Sequence, residues 1–280
     1  MIASKEEIRG EAVALHYDEL DRFYREVWGE HVHHGLWLRG DESREMAVKQ
    51  LALKVASEAQ IGRGSRVCDI GCGYGETARL FVKEFGAQVT ALTISPKQHE
   101  FASSRAGQTD NPSYLLADWM TAELPADSFD AAIAIESSEH MPDKARFFSN
   151  AHRVLRDDGR LVVCAWLSSE KPSRMQERWL LEPICREGRM PHLGTETEYR
   201  RLAVDAGFQS VGFEDVSAKV ERTWPMIVRL FLLKLAARPA YLKFLLNRHS
   251  QNRVFALTIV RLWLAYRTGA MRYGIFTFEK

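Results

Sequence analysis

A chain of 280 residues with 46% hydrophobic and 27% charged residues has the balance of an ordinary soluble globular protein. The net charge of +1 hides a split: residues 219–280 hold 12 of the 38 Lys+Arg and, of the acids, only Glu221 and Glu279, which makes that tail +10 and the rest −9. Such a tail predicts an anionic partner or surface, and no nucleic-acid-binding motif accompanies it, which argues against nucleic acid. The stretch from Trp224 to Leu246 is interrupted by Arg229, Lys234, Arg238 and Lys243, too many charges for a membrane-spanning helix. Neither a CxxC pair nor a zinc-like spacing links Cys68, Cys72, Cys164 and Cys185, and the N-terminus has no apolar signal region. A reduced, cytoplasmic protein is the expectation.

In chain order, residues 6–28 carry apolar or aromatic side chains at helical spacing, from Ile8 and Ala12 through Leu15, Leu20 and Phe23 to Val27. Asp41 is placed to cap a second helix reaching about Gln60, with Met46, Leu51, Leu53 and Val55 as its buried face. Beyond Gly62-Arg63-Gly64 short apolar runs begin: Arg66–Ile70, Gln88–Ile94, Tyr114–Ala117, Phe129–Ile135 and Arg160–Leu167. Helical patterns at 76–85, 96–106 and 143–155 separate them. Strands alternating with helices predict parallel βαβ units in a doubly wound α/β sheet, and their continuous apolar character fits burial on both faces. A helix capped by Thr195, a strand at Gln209–Val216, two helices over roughly 223–247 and 251–268, and a last strand at Arg272–Phe278 complete a mostly parallel seven-stranded sheet. The two-helix stretch reads as an insertion before the final strand.

The first strand of the core runs directly into Asp69-Ile70-Gly71-Cys72-Gly73-Tyr74-Gly75. Glycines let the backbone turn sharply and approach a ligand. The spacing is G-x-G-x-G after an acid, not the G-x-G-x-x-G of a dinucleotide site, whose pyrophosphate needs a helix N-terminus. S-adenosylmethionine has no pyrophosphate and carries an ammonium and a sulfonium, which Asp69 can help accommodate. Gly71, Gly73 and Gly75 then form the cradle.

Val67 to Gly75 resembles the first motif of the class I methyltransferases, a Rossmann-like family. Trp28-Gly29-Glu30-His31-Val32-His33-His34-Gly35, Glu136-Ser137-Ser138-Glu139-His140-Met141-Pro142-Asp143-Lys144 and Arg267-Thr268-Gly269-Ala270-Met271-Arg272-Tyr273-Gly274 extend the resemblance to the gamma-tocopherol C-methyltransferase branch. The second of these segments is also similar to sugar O-methyltransferases of natural-product pathways. Where an acid usually ends the second strand, this chain has Thr93 and, five residues on, Gln98. That departure resembles the branch shared with cyclopropane fatty acid synthases, in which a Thr and a Gln bind the ribose; both side chains can hydrogen-bond hydroxyls. The resemblance further implies that Asp118 and Trp119 border the adenine. It also makes residues 1–60 a helical lid on a core of 61–280, with 218–268 as an acceptor-binding insertion.

Methyl transfer from a sulfonium is an in-line displacement that depends on positioning, with a general base where the acceptor must lose a proton. The resemblance makes His140 and Glu136 the candidates to contact acceptor or cofactor, while Glu139 reads better as a cap for the helix near Asp143. The aromatic and histidine cluster Tyr17, Trp28, His31, His33, His34 and Trp37 precedes the core. Tyr17 joins the catalytic candidates, Trp28 is expected against the cofactor sulfonium, and His34, Trp37, Trp166 and Trp224 are expected against the acceptor. A metal on His31, His33 and His34 is disfavoured, because no carboxylate or cysteine clearly partners them. In the insertion, Ile227, Leu230, Phe231, Leu235, Leu242, Phe244 and Leu245 interleave with Arg and Lys. Core packing, an apolar acceptor pocket and peripheral membrane contact all remain open for them, and the basic side chains suit a polar rim or a prenyl diphosphate equally.

The leading expectation is an enzyme that methylates a hydrophobic small molecule with S-adenosylmethionine, releasing S-adenosylhomocysteine, by C-methylation of a prenylated aromatic or isoprenoid acceptor. O- or N-methylation of a natural product, such as a glycoside or indole alkaloid, stands as the alternative within the class. Outside it stand a nicotinamide-dependent oxidoreductase, disfavoured by the glycine spacing, and a non-catalytic lipid-binding protein. The sequence leaves the oligomeric state open, a homo-oligomer included.

Overall fold

The computed structural model describes residues 2–107, 110–237 and 255–280. Seven strands form one sheet: β1 (Arg66–Ile70), β2 (Gln88–Thr93), β3 (Ser113–Leu116), β4 (Phe129–Ile135), β5 (Leu155–Ser168), β6 (Gln209–Asp215) and β7 (Met271–Glu279). Their order is β3-β2-β1-β4-β5-β7-β6, parallel throughout except that β7 runs antiparallel to both neighbours. The strand order reverses direction between β1 and β4, which run parallel, so the loops after these strands open a crevice at one edge.

Two-residue periodicity divides the sheet's side chains between two cores. Val67, Ala131, Ile133, Val162 and Ile275 lie in one; Cys68, Ile70, Ala132, Val163 and Phe278 lie in the other. On the second face pack α5 (Lys144–Val154) and α7 (Glu196–Asp205) through Phe147, Phe148 and Tyr199. On the first pack α2 (Arg44–Glu58) and α3 (Glu76–Phe85), with Leu51, Val55 and Phe81 fully buried. Ser43, not Asp41, caps α2, its side chain accepting from Met46 N; Met46 is exposed and Leu53 only half-buried. Thr195 caps α7 as expected, in a reciprocal box with Glu198.

The N-terminal helix α1 (Gly10–Phe23) continues into a wide π-type turn, Tyr24–Trp28. It buries Val13, His16, Leu20 and Phe23; of the expected positions Leu20 and Phe23 face the core and Leu15 is exposed. Two bonds tie it over the carboxyl edge: Ser95, the cap of α4 (Pro96–Ser104), donates to Asp18 Oδ1 at 2.6 Å, and Tyr74 Oη donates to Asp21 Oδ1 at 2.9 Å. Helix α6 (Glu182–Glu187), α8 (Thr223–Ala237) and α9 (Phe255–Arg267) close the other side. The predicted helices extend to 247 and start from 251; Leu242, Phe244 and Leu245 fall outside the described residues. Among the described residues no helix is long and apolar enough to cross a membrane.

Candidate active site

Two cavities adjoin at the carboxyl edge. The first is lined by Gly71, Gly73, Thr93, Gln98, Asp118 and Trp119, from the ends of β1, β2 and β3 and the loops after them. Helix α1 roofs it with Val13 and Gly10, whose Cα stands against Ile94 and Asp118. Thr93 Oγ1 donates to Gln98 Oε1 at 2.9 Å, and Trp119 Nε1 donates to Phe147 O. A smaller recess continues past Gly71 and Gly73 to Asp69, Thr77, His31 and His33. Asp69 is 3% exposed and its Oδ2 has no hydrogen-bond partner among the described residues. Gly75 lines neither space; it starts α3 beneath the ring of Tyr114.

An unpaired carboxylate oxygen beside a glycine cradle fits a ligand bearing an ammonium. Burial pushes the Asp69 carboxyl up to about 7, so the folded chain holds this proton more tightly than the unfolded chain. Stability from this group therefore falls as pH rises from about 4 to 7. A bound cation reverses the preference. Affinity for S-adenosylmethionine should climb by up to about tenfold per unit as pH approaches 7, then level off, and Asp69→Asn should flatten that climb. Calorimetric titration from pH 5.5 to 8 reads both; a slope that survives in Asp69→Asn would assign the proton elsewhere.

The second cavity is walled by aromatic rings: Tyr24, Trp28, Trp166 and Trp224, with His34 among them. Tyr17, Val32, Glu136 and His140 line both cavities and so mark the passage between them. Trp28 lines this second cavity, 5.9 Å and edge-on from Trp224, and not the first cavity beside the glycine loop, where the sequence places it. Trp37 lines neither cavity: it is buried beneath the guanidinium of Arg222, with Nε1 donating to Thr223 Oγ1. His34 and Trp224 keep unpaired nitrogens, Nε2 and Nε1, among the described residues.

Glu136 directly follows β4 in a left-handed conformation, φ +54°, uncommon for a residue other than glycine and frequent where function over-determines the backbone. Its carboxylate accepts from four donors: His34 N at 2.7 Å, His34 Nδ1 at 3.0 Å, Tyr273 Oη at 2.7 Å and Trp166 Nε1 at 2.8 Å. Burial opposes the charge, yet His34 beside it and these hydrogen bonds hold the carboxyl at about 2. Glu136 is therefore a fixed anion. Tyr273 enters because β7 pairs antiparallel with β5 and sets Tyr273 opposite Trp166.

His140 has the opposite character. Its Nδ1–H donates to Arg189 O at 3.1 Å, which leaves the Nε2 lone pair to accept from Tyr17 Oη at 2.9 Å. Burial lowers its pKa to about 4, so the ring is neutral at physiological pH. Burial also raises the Tyr17 phenol well above its usual range. Glu139 is not a helix cap. Asp143 caps α5, whereas Glu139 reaches back from a 3-10 turn to accept from Trp166 N, and Lys144 is buried alongside it. His33 Nδ1 donates to His34 O and its Nε2 accepts from His31, so these rings spend their nitrogens on each other; among the described residues no three His, Cys, Asp or Glu gather as a metal would require.

A family model described as mycolic acid cyclopropane synthetase matches residues 4–227. The chain is 27% identical to the chloroplastic tocopherol O-methyltransferase of Arabidopsis thaliana, over 99% of this chain and 84% of that one. It is 30% identical to the 27-O-demethylrifamycin SV methyltransferase of Amycolatopsis mediterranei, over 94% and 95%. Among solved structures, the cyclopropane synthase MmaA2 of Mycobacterium tuberculosis superposes with a TM-score of 0.85 at 20% identity, covering 97% and 98%.

Proposed function

Because the chain belongs to the mycolic acid cyclopropane synthetase family of class I S-adenosylmethionine-dependent methyltransferases, we propose that it methylates an aromatic or isoprenoid acceptor, with ring C-methylation of a prenylated phenol as the first choice. The observation that carries this reading is the meeting of the two cavities at Tyr17, Val32, Glu136 and His140. S-adenosylmethionine, when bound, supplies an electrophilic methyl group on a sulfonium. Asp69, the glycine loop, Thr93, Gln98, Asp118 and Trp119 are the residues that would hold it.

On the acceptor side the rings of Tyr24, Trp28, Trp166 and Trp224 take an apolar body and exclude water. His34 Nε2 and Trp224 Nε1, both buried and unpaired among the described residues, suit one polar group on that body. His140 Nε2, whose lone pair the Nδ1–H bond to Arg189 O leaves facing the passage, takes the phenol proton directly or through Tyr17. The ring carbon's electron pair then forms the new carbon–carbon bond as the carbon–sulfur pair leaves with sulfur, and the displaced ring proton passes to a base. The Glu136 carboxylate stabilises positive charge along this path without accepting a proton.

The test is a panel of prenylated phenols, prenyl diphosphates, glycosides and indoles incubated with the protein and S-adenosylmethionine, read by mass spectrometry for a methyl gain. A methylated ring carbon on a prenylated phenol supports the reading, with kcat falling about 100-fold or more in His140→Ala. Methylation confined to oxygen or nitrogen of the other acceptors would replace it.

A further inference from the structure

We infer that the outer face of helices α8 and α9 is a docking surface for an anionic lipid bilayer. Helix α9 is apolar on two opposite sides. Thr258, Ile259, Leu262 and Ala265 point inward, fully buried, and Thr258 and Leu262 line the acceptor cavity. Leu257, Val260 and Leu264, at i, i+3 and i+7, point outward with Trp263 beside them, and all four are 37% to 51% exposed. Helix α8, packed against α9, adds Leu232 and Leu233, each more than half exposed. Scattered apolar side chains on a surface are ordinary, but a stripe along one helix, with further exposed leucines on the helix packed against it, is not.

The charge around this stripe says what covers it. Neither helix contains an acidic residue; α8 carries Arg229 and Lys234 and α9 carries Arg267, while Arg261 of α9 is paired with Glu187 and adds no free charge. Arg267 is exposed one turn beyond Trp263 and Leu264. The sequence from 222 to 278 holds ten Lys and Arg and no Asp or Glu. Beside α9 packs the segment 174–181, where Gln176 Nε2 donates to Thr268 O; it exposes Met175 and Trp179, the latter under the Arg178 guanidinium. Apolar side chains with interfacial tryptophans and a mainly basic rim match a surface of anionic headgroups over acyl chains. A second copy of the chain would set like charge against like charge. The consequence is geometric: a single helix separates the bilayer from the acceptor cavity, so an apolar acceptor would not cross water to reach it. That consequence rests on the proposed acceptor class; the docking itself does not.

Vesicle flotation of the full chain, with S-adenosylhomocysteine present, tests the docking without any acceptor. The protein should float with phosphatidylcholine vesicles containing phosphatidylglycerol and not with phosphatidylcholine alone, and salt should weaken the interaction. L257S/L264S should lower the partition coefficient at least about tenfold. Arg267→Glu, which alters charge at an exposed position without touching the packing, should lower it several-fold. Calorimetric affinity for S-adenosylhomocysteine should be unchanged in both variants, because neither site borders the cofactor cavity. Absence of flotation, or equal flotation of L257S/L264S, overturns the inference. So does a wild-type dimer in sedimentation equilibrium that L257S/L264S splits, which would give the face to a second copy. Flotation without methylation of any prenylated acceptor would sustain the docking and remove the proposed acceptor instead.

Discussion

Gly71→Ala is expected to weaken S-adenosylmethionine binding by about 100-fold or more, or abolish it, in a calorimetric titration. Gly71 adopts φ +83°, where an L-residue is strained by about 1–2 kcal/mol. The larger obstacle is steric. A Cβ there would stand 2.4 Å from Ser137 Cβ, and Ser137 is pinned by its own hydroxyl donating to Ile70 O. The amides of Gly71 and Cys72 are both held to Leu92 O, so the loop cannot back away at low cost. Relief has to come from the turn after β4, which moves Glu136 and the passage between the cavities together. Gly73→Ala is the informative contrast. Its φ is +55°, but the nearest atom to an added Cβ is Gln98 Nε2 at 3.9 Å, so the methyl enters open cavity, not packed protein. Thermal stability should drop more in Gly71→Ala than in Gly73→Ala, while both lose cofactor affinity. Unchanged affinity in Gly71→Ala would remove this loop from the cofactor site.

Glu136→Gln is expected to cost about 1–3 kcal/mol of stability and to slow turnover by about 100- to 1,000-fold. The carboxylate spreads four donors over two oxygens, and an amide offers one oxygen and turns an NH2 towards the remaining donors. Removing the acceptor altogether, as in Glu136→Leu, strands all four and should cost about 3–5 kcal/mol, read as a shift in the denaturation midpoint. The kinetic signature separates an anion from a base. With its carboxyl held at about 2, Glu136 does not titrate near neutrality, so Glu136→Gln should lower kcat without changing the shape of its pH profile. The acid limb of that profile belongs to His140, neutral above about 4 in the free protein. A limb that disappears in Glu136→Gln would make the glutamate the base.

Much of this protein is legible in its sequence because its signals are local. Strand periodicity, the glycine spacing after β1 and the Thr195 box depend on neighbours within a few residues, and the seven strands and the loop 69–75 lie where that pattern puts them. The segment Glu136 to His140 was equally visible as a cluster of chemistry-bearing side chains at the end of β4. Their division of labour was not. A carboxylate becomes a fixed anion only when donors arrive from residues 34, 166 and 273, which no spacing rule connects. A histidine is held neutral only through burial, and its Nε2 lone pair is left free only by the carbonyl of Arg189. Trp28 and Trp37 show the same limit: one lines the aromatic cavity beside Trp224, the other is buried against Thr223 and Arg222. Glu139 was read as a cap from its place before a helix, yet Asp143, four residues on, has the geometry to do it. What the sequence determined by itself is the sheet, the glycine loop after β1 and the residue types at the end of each strand, since these follow from backbone conformation and side-chain pattern. Which cavity each side chain enters, and which protonation state it holds there, was decided only in the tertiary structure, because both depend on desolvation and on partners brought from distant parts of the chain.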